Sequence, residues 1–181
     1  LSSKSYVSLD KLNFLRYNYG IYYGSNSNNN TITSATCNSN SQNGIYYYGN
    51  NNNNTITSAT CNSNTYGIYY YNSSNNTITS ATCNSNVMYG IYYNGSCNNN
   101  TITSATCNSN SYGIYYSNSN NNTIYSLSTT SNTTAGIYAD KSNNICHSAT
   151  IAESTKVAIG TDNYYSDTRQ YINNLGGYSY V

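Results

Sequence analysis

Residues able to carry acid–base chemistry sit only toward the two ends of this 181-residue chain. Between Tyr17 and Ala139 there is no Asp, Glu, Lys, Arg or His. Cleavage by general acid–base catalysis needs such groups within reach of one reacting bond, so the middle of the chain lacks the means. Lys4, Asp10, Lys11 and Arg16 precede the gap; Asp140, Lys141, His147, Glu153, Lys156, Asp162, Asp167 and Arg169 follow it. Solvated end caps explain that distribution more simply than a catalytic site. The expectation is a chain that is not an enzyme and carries no cofactor.

Six cysteines remain. Cys146 and His147 are adjacent and the other thiols lie far apart, unlike compact Cys-x-x-Cys metal spacing, so no metal site is expected. Cys37, Cys61, Cys83 and Cys107 recur inside the identical string TITSATCNSN. Stacked one above another their Cα atoms would lie about 4.8 Å apart, inside the disulfide window of roughly 4.4 to 6.8 Å. In-register stacking points both Cβ vectors the same way, which strains such a bond. Buried thiols acting as small hydrophobes are the favoured reading, with Cys37–Cys61 and Cys83–Cys107 disulfides as the alternative. Cys97 lies in a turn and is the candidate for an exposed or intermolecular thiol.

Three further residue sets recur in register. Asn-x-Ser/Thr sequons fall at Asn29, Asn53, Asn75, Asn99 and Asn121, with more at Asn72, Asn94 and Asn132. A glycan column at a corner would keep an uncharged rod solvated. Thr31/Thr33, Thr55/Thr57, Thr77/Thr79 and Thr101/Thr103 form two outward threonine files, interrupted at Tyr125, that resemble the flat Thr-x-Thr surface of solenoid ice-binding proteins. Tyr22, Tyr46, Tyr69, Tyr92, Tyr115 and Tyr138 form an exposed aromatic stripe, the kind of patch that contacts a sugar or another copy of the chain.

These columns imply the elements that hold them. Gly-Ile recurs at Gly20, Gly44, Gly67, Gly90, Gly113 and Gly136, and TITSATCNSN begins unaltered at Thr31, Thr55, Thr77 and Thr101. One unit is about 23 residues, the length of a solenoid coil. Within it, short period-2 segments of β-branched and aromatic residues alternate with Asn- and Ser-rich turns. The inward columns read Leu9, Ile32, Ile56, Ile78, Ile102, Ile124, Ile145; Leu12, Ala35, Ala59, Ala81, Ala105, Leu127; Phe14, the four cysteines, Ile151; and Ile21, Ile45, Ile68, Ile91, Ile114, Ile137, Ile159. Tyr23, Tyr47, Tyr70, Tyr93 and Tyr116 also point inward or sit at a corner. Asn30, Asn54, Asn76, Asn100 and Asn122 are placed to stack as amide ladders. The expected fold is all-β, a right-handed parallel β-helix of about seven coils.

Composition fits that narrow interior. Leu, Ile, Val and Phe supply 26 residues, fewer than a conventional core needs, while Tyr alone supplies 25. A net charge of +1 excludes a nucleic-acid binder that works through phosphate neutralisation. No run is long enough to cross a bilayer as a helix. The chain starts at Leu1 without a basic-then-apolar leader and is read as a mature product or a fragment. Its charges divide into a first segment of net +2 and a last of net −1, a polarity that favours head-to-tail stacking of copies. The divisions expected are a first coil or cap over 1–16, uncharged repeats over 17–139, and a coil, cap and assembly tail over 140–181.

The segment NNNTITSATCNSNSYGIYY, residues 98–116, resembles the parallel β-helix repeats of the pectin-lyase-like superfamily, especially the Asn-rich kind in the nitrous-oxide-reductase maturation protein and in archaeal and bacterial surface proteins. The resemblance covers about residues 7 to 160. It implies the fold and leaves function open, since such repeats occur in polysaccharide lyases, adhesins, envelope proteins and fibres. Cys stands where the family commonly has Ile, and Tyr where it commonly has Leu. The leading expectation is a non-enzymatic extracellular or cell-surface structural solenoid that assembles with itself into a filament, sheath or surface layer and bears glycans. The alternatives are an ice-binding solenoid and a carbohydrate-binding or carbohydrate-degrading β-helix.

Overall fold

The computed structural model describes residues 1–147, 149–152 and 157–159. Over these residues the chain is a parallel β-solenoid, with every strand hydrogen-bonded to the equivalent strand one coil away. One seven-stranded sheet runs through Ser8–Asp10, Thr31–Thr33, Thr55–Thr57, Thr77–Thr79, Thr101–Thr103, Thr123–Tyr125 and Ile145–Cys146. A second runs through Tyr19–Tyr23, Asn43–Tyr48, Tyr66–Tyr71, Tyr89–Asn94, Tyr112–Ser117, Ala135–Asp140 and Val157–Ile159. The third face is narrower. It pairs Asn13–Leu15 with Thr36–Asn38 and Leu127–Thr129 with Ala149–Ile151, and single bridges Thr36↔Thr60↔Thr82↔Thr106↔Ser128 carry it through the middle coils.

One-residue corners keep the strands short. Ser34, Ser58, Ser80, Ser104 and Ser126 have φ between 52° and 56°, and Ser39, Ser63, Ser85, Ser109 and Ser131 repeat the device four residues after Ala35, Ala59, Ala81, Ala105 and Leu127. Left-handed geometry is uncommon for a residue with a side chain; here each such residue turns the chain from one sheet toward the next. Their amides donate to the coil above, as Ser58 N does to Thr79 O at 2.8 Å.

The interior follows the period-2 pattern. Ile32, Ile56, Ile78, Ile102 and Ile124 stack in register with Leu9, and Phe14 sits over Cys37. At the C-terminal end two columns differ from the sequence expectation. Ile124 pairs with Cys146 rather than Ile145, and Ile137 pairs with Val157 rather than Ile159. Outside the repeated motif no string pins the register: the first difference is a one-residue shift, which exchanges the two faces of a strand, and the second is a two-residue slip.

Buried asparagines at two corners bond to one another by stacking. Asn54 Oδ1 accepts from the backbone N of Asn30 at 2.8 Å and from its Nδ2 at 3.1 Å, and the pattern repeats through Asn76, Asn100, Asn122 and Asn144. A second buried ladder, Asn40, Asn64, Asn86, Asn110 and Asn132, does the same at the opposite corner. Gly20, Gly44, Gly67, Gly90 and Gly113 of the Gly-Ile pairs pack against this second ladder. A Cβ on Gly44 would lie 2.6 Å from Gly67 O and 3.0 Å from Asn64 Nδ2, closer than atoms approach, so a side chain there would force the coils apart.

Candidate functional site

The second sheet carries tyrosine on both of its faces. In Tyr66–Tyr71, Ile68 and Tyr70 are buried while Tyr66, Tyr69 and Tyr71 are half-exposed. The outward stripe is in register from Tyr22 through Tyr46, Tyr69, Tyr92 and Tyr115 to Tyr138. Two further files flank it. Tyr19, Tyr66, Tyr89 and Tyr112 lie on one side, with Asn43 in the gap. Tyr48 and Tyr71 lie on the other, continued by Asn94, Ser117 and Asp140. Sequence reasoning missed both flanking files. Their signal was the Tyr before four of the six Gly-Ile pairs and the third Tyr that follows Gly44 and Gly67.

The outward rings pack on one another. Tyr46 and Tyr69 stack with centroids 4.7 Å apart, Tyr69 and Tyr92 at 4.6 Å, and Tyr48 and Tyr71 at 5.3 Å. Contacts also cross between files, with Tyr89 stacked on Tyr115 at 4.7 Å and Tyr66 on Tyr92 at 5.8 Å. Because neighbours share their faces, the surface offers a ligand mainly ring edges and phenol hydroxyls. Partial burial, reinforced by the neighbouring phenols, pushes Tyr89 up to about 12 and raises Tyr46, Tyr92 and Tyr115 as well. Burial also raises Tyr69, although its hydroxyl accepts from Asn94 Nδ2 at 3.0 Å, which works the other way. Neutral hydroxyls that donate and accept are what this face presents at ordinary pH.

Asp140 is the carboxylate that this face contains among the described residues. It ends the file of Tyr48 and Tyr71, in register with Ser117, and its charge raises the phenols of Tyr115 and Tyr138 after the larger effect of their own burial. Glu153, Lys156, Asp162, Asp167, Arg169 and the tail assigned to assembly lie outside the described residues.

The remaining candidates fall elsewhere. Cys37, Cys61, Cys83 and Cys107 are fully buried thiols. Burial, followed by the Cys37 thiol beside it, raises Cys61; at Cys83 contact with Cys107 lowers the value while Cys61 and burial raise it, for a net rise. Cys97 differs from expectation: it is 0 % exposed, because its turn position points into the coil. Its sulfur donates to Tyr70 O at 3.4 Å and Asn94 O at 3.2 Å, and accepts from Ser73 N at 3.3 Å. Burial pushes that thiol up to about 11.

Asn29, Asn53, Asn75, Asn99 and Asn121 form an exposed corner column with φ between 56° and 58°. Asn132 differs from the expectation of a glycan site, being buried as a rung of the second amide ladder. Asn94 is tied to Tyr69, and Asn72 Oδ1 accepts from Ser96 N at 3.1 Å. The threonine files are in register at Thr31, Thr55, Thr77 and Thr101 and at Thr33, Thr57, Thr79 and Thr103. The first file continues to Thr123, and the second ends at Tyr125, whose ring stacks on His147 at 4.5 Å.

Uncharged, Asn-laddered coils with a polar aromatic face make this a parallel β-helix repeat protein. Residues 2–181 match the family described as periplasmic copper-binding protein (NosD), and the chain belongs to that family. No curated protein matches it at a significant level. Among solved structures it is similar to the enzymatically active domain of tailspike protein 2 from bacteriophage CBA120, with a TM-score of 0.70 and 18% identity over 86% of this chain and 26% of that one. It is also similar to full-length tailspike protein 2 of an Escherichia coli O157:H7 bacteriophage, with a TM-score of 0.64 and 18% identity over 86% of this chain and 25% of the other. The chain thus spans about a quarter of the length of the structures it matches.

This comparison corrects the expectation that the chain is not an enzyme. A matched domain is described as enzymatically active, so a catalytic protein is built on the same kind of coil, and a shortage of charge in the middle coils does not set the activity of the whole. The copper of the family's description does not fit the described residues. Among them no three His, Cys, Asp or Glu side chains converge as a metal-binding group. A copper ion takes deprotonated sulfur, whereas Cys61 and Cys83 are sealed and held protonated. No helix among the described residues is long and apolar enough to cross a membrane, which says nothing of spanning by strands.

Proposed function

We propose that the chain is a carbohydrate-binding or carbohydrate-degrading β-helix of the cell envelope, with the three tyrosine files as its glycan-contact face. The observation that carries this reading is the continuity of that face: outward tyrosines occupy successive coils from Tyr19 to Tyr138 with no charged side chain until Asp140. A neutral glycan is a repeating array of hydroxyls on an apolar frame. Phenol edges and hydroxyls repeating about every 4.8 Å match it in both respects. The pectin-lyase-like resemblance and the family's periplasmic description support the setting, and the enzymatically active tailspike neighbour supports a reading that includes catalysis. These considerations move the carbohydrate reading ahead of the filament, sheath or surface layer.

Binding of soluble neutral polysaccharides, followed by calorimetry, tests the proposal. Replacing Tyr69 and Tyr92 together by Ala is expected to weaken binding at least about fivefold, given roughly 0.5–1.5 kcal/mol for each aromatic contact and 1.4 kcal/mol per factor of ten. Equal affinity of both proteins, or no affinity for any glycan, sinks the reading. Release of new reducing ends that disappears in Asp140→Asn would assign degradation to this face.

A further inference from the structure

We propose that the outward tyrosine files are an oxidative cross-linking site, at which tyrosines of adjacent coils become joined through a carbon–carbon bond between their ortho ring positions. The inference does not depend on the carbohydrate reading. It rests on a geometric coincidence that the fold imposes rather than on the abundance of tyrosine. Parallel in-register strands set Tyr48 opposite Tyr71, Tyr46 opposite Tyr69 and Tyr69 opposite Tyr92. These rings already lie nearly parallel, with interplanar angles of 8°, 12° and 16° and centroids 5.3, 4.7 and 4.6 Å apart. Two phenoxyl radicals formed there meet without a diffusional search, the situation in which orientation contributes most to rate.

The chemistry balances with an external oxidant, hydrogen peroxide activated by a haem peroxidase. Each phenol gives up one electron and its hydroxyl proton. The two ortho carbons then bond, and each loses its hydrogen as a proton while the oxygens are reprotonated, restoring two phenols. Two hydrogens leave per link, and the two electrons and two protons reduce one peroxide to two waters. Tyr48 is 44% exposed and Tyr71, Tyr46, Tyr69 and Tyr92 are half-exposed, so solvent can accept their protons.

The fold also supplies an internal control. Tyr23, Tyr47, Tyr70, Tyr93 and Tyr116 stack just as closely, at 4.8 to 5.2 Å and within 8° of parallel. Their hydroxyls are buried and have no protein hydrogen-bond partner. Removing an electron from such a ring leaves a proton with nowhere to go and a charge in an apolar interior. The inner column should stay unmodified while the outer files couple.

The test treats the dilute 181-residue chain with peroxidase and hydrogen peroxide, followed by intact mass, dityrosine fluorescence and mapping of linked peptides. The expected product is monomeric, lighter by two hydrogens per link, and linked at Tyr46–Tyr69, Tyr48–Tyr71 or Tyr69–Tyr92, with a yield at least about tenfold above that of urea-unfolded chain. A Tyr48→Phe, Tyr71→Phe double variant keeps both rings and should lose its own link alone. Links only between chains, links that include Tyr47 or Tyr70, an equal yield in urea, or no link at all in a chain whose circular dichroism shows it folded would each overturn the proposal.

Discussion

Tyr69 and Tyr70 are neighbours in one strand, stack on neighbours at almost the same spacing, and do opposite things. Tyr69 lies 4.6 Å from Tyr92 on the outside; Tyr70 lies 5.2 Å from Tyr93 on the inside. The outer ring has solvent, Asn94 and a second file of tyrosines around it. The inner ring is fully buried beside Cys97, Cys61 and Cys83, and its hydroxyl has no protein partner. Ring stacking is therefore common to both columns, and environment alone separates a structural tyrosine from one available for binding or oxidation. The inner column fills the coil as Leu would, at the cost of a buried hydroxyl. The outer column leaves the interior untouched and is free to meet a ligand.

Alkali should separate the two columns most. Burial raises Tyr47, Tyr70, Tyr93 and Tyr116 well above the ordinary value of 10.0. A group whose folded pKa is raised contributes stability that is fully present below its unfolded value and is lost as pH rises past it, because the unfolded chain then binds fewer protons than the folded one. Stability should hold to about pH 10 and fall steeply above it, ending in cooperative unfolding. Phenolate absorbance should rise first for the outer files, with Tyr89 near 12, and for Tyr47, Tyr70, Tyr93 and Tyr116 only together with loss of the β signal in circular dichroism. Smooth titration of every tyrosine in a chain that stays folded would remove the distinction.

Truncation is the next largest contrast. Tyr70→Ala empties a ring-sized space in the core and should destabilise by about 3–5 kcal/mol, whereas Tyr69→Ala on the surface should cost about 1 kcal/mol or less. Urea unfolding of the two variants compares them directly, and similar midpoints would mean that the inner column does not support the coils.

The repeat made the inner side of this comparison legible before any coordinates. Ile, Ala and Cys recur at fixed offsets and alternate with polar residues, so period 2 assigns their face, and the same alternation places Tyr70 beside Ile68. The flanking file of Tyr66 escaped because Gly67 interrupts the alternation: Tyr66 and Ile68 are two apart and yet face opposite sides, whereas Tyr71 follows the alternation from Tyr69. The second amide ladder was hidden in turns, where Asn40 and Asn64 look like solvent-exposed corner residues until the corners are closed. Register at Cys146 and Val157 failed where the motif decays. The catalytic expectation failed for a different reason. It generalised from charge-poor coils to a whole protein, and these coils match only about a quarter of the larger tailspike structures.

Removing one oxygen gives the smallest and sharpest contrast. Tyr70→Phe keeps the ring and its stacking on Tyr47 and Tyr93 and deletes only a buried hydroxyl that has no protein partner. Burying such a group unpaired costs about 1–3 kcal/mol, so the variant should be more stable than the parent by about 1 kcal/mol. Tyr69→Phe loses the bond from Asn94 Nδ2, worth roughly 0.5–1.5 kcal/mol and partly replaced by water, so it should be neutral or slightly destabilised. Opposite signs from the same chemical deletion at adjacent positions would follow only if the two faces of the strand differ as described. A loss of stability in Tyr70→Phe would mean that the inner hydroxyls are satisfied in solution, and that their column is a hydrated file rather than a dry stack.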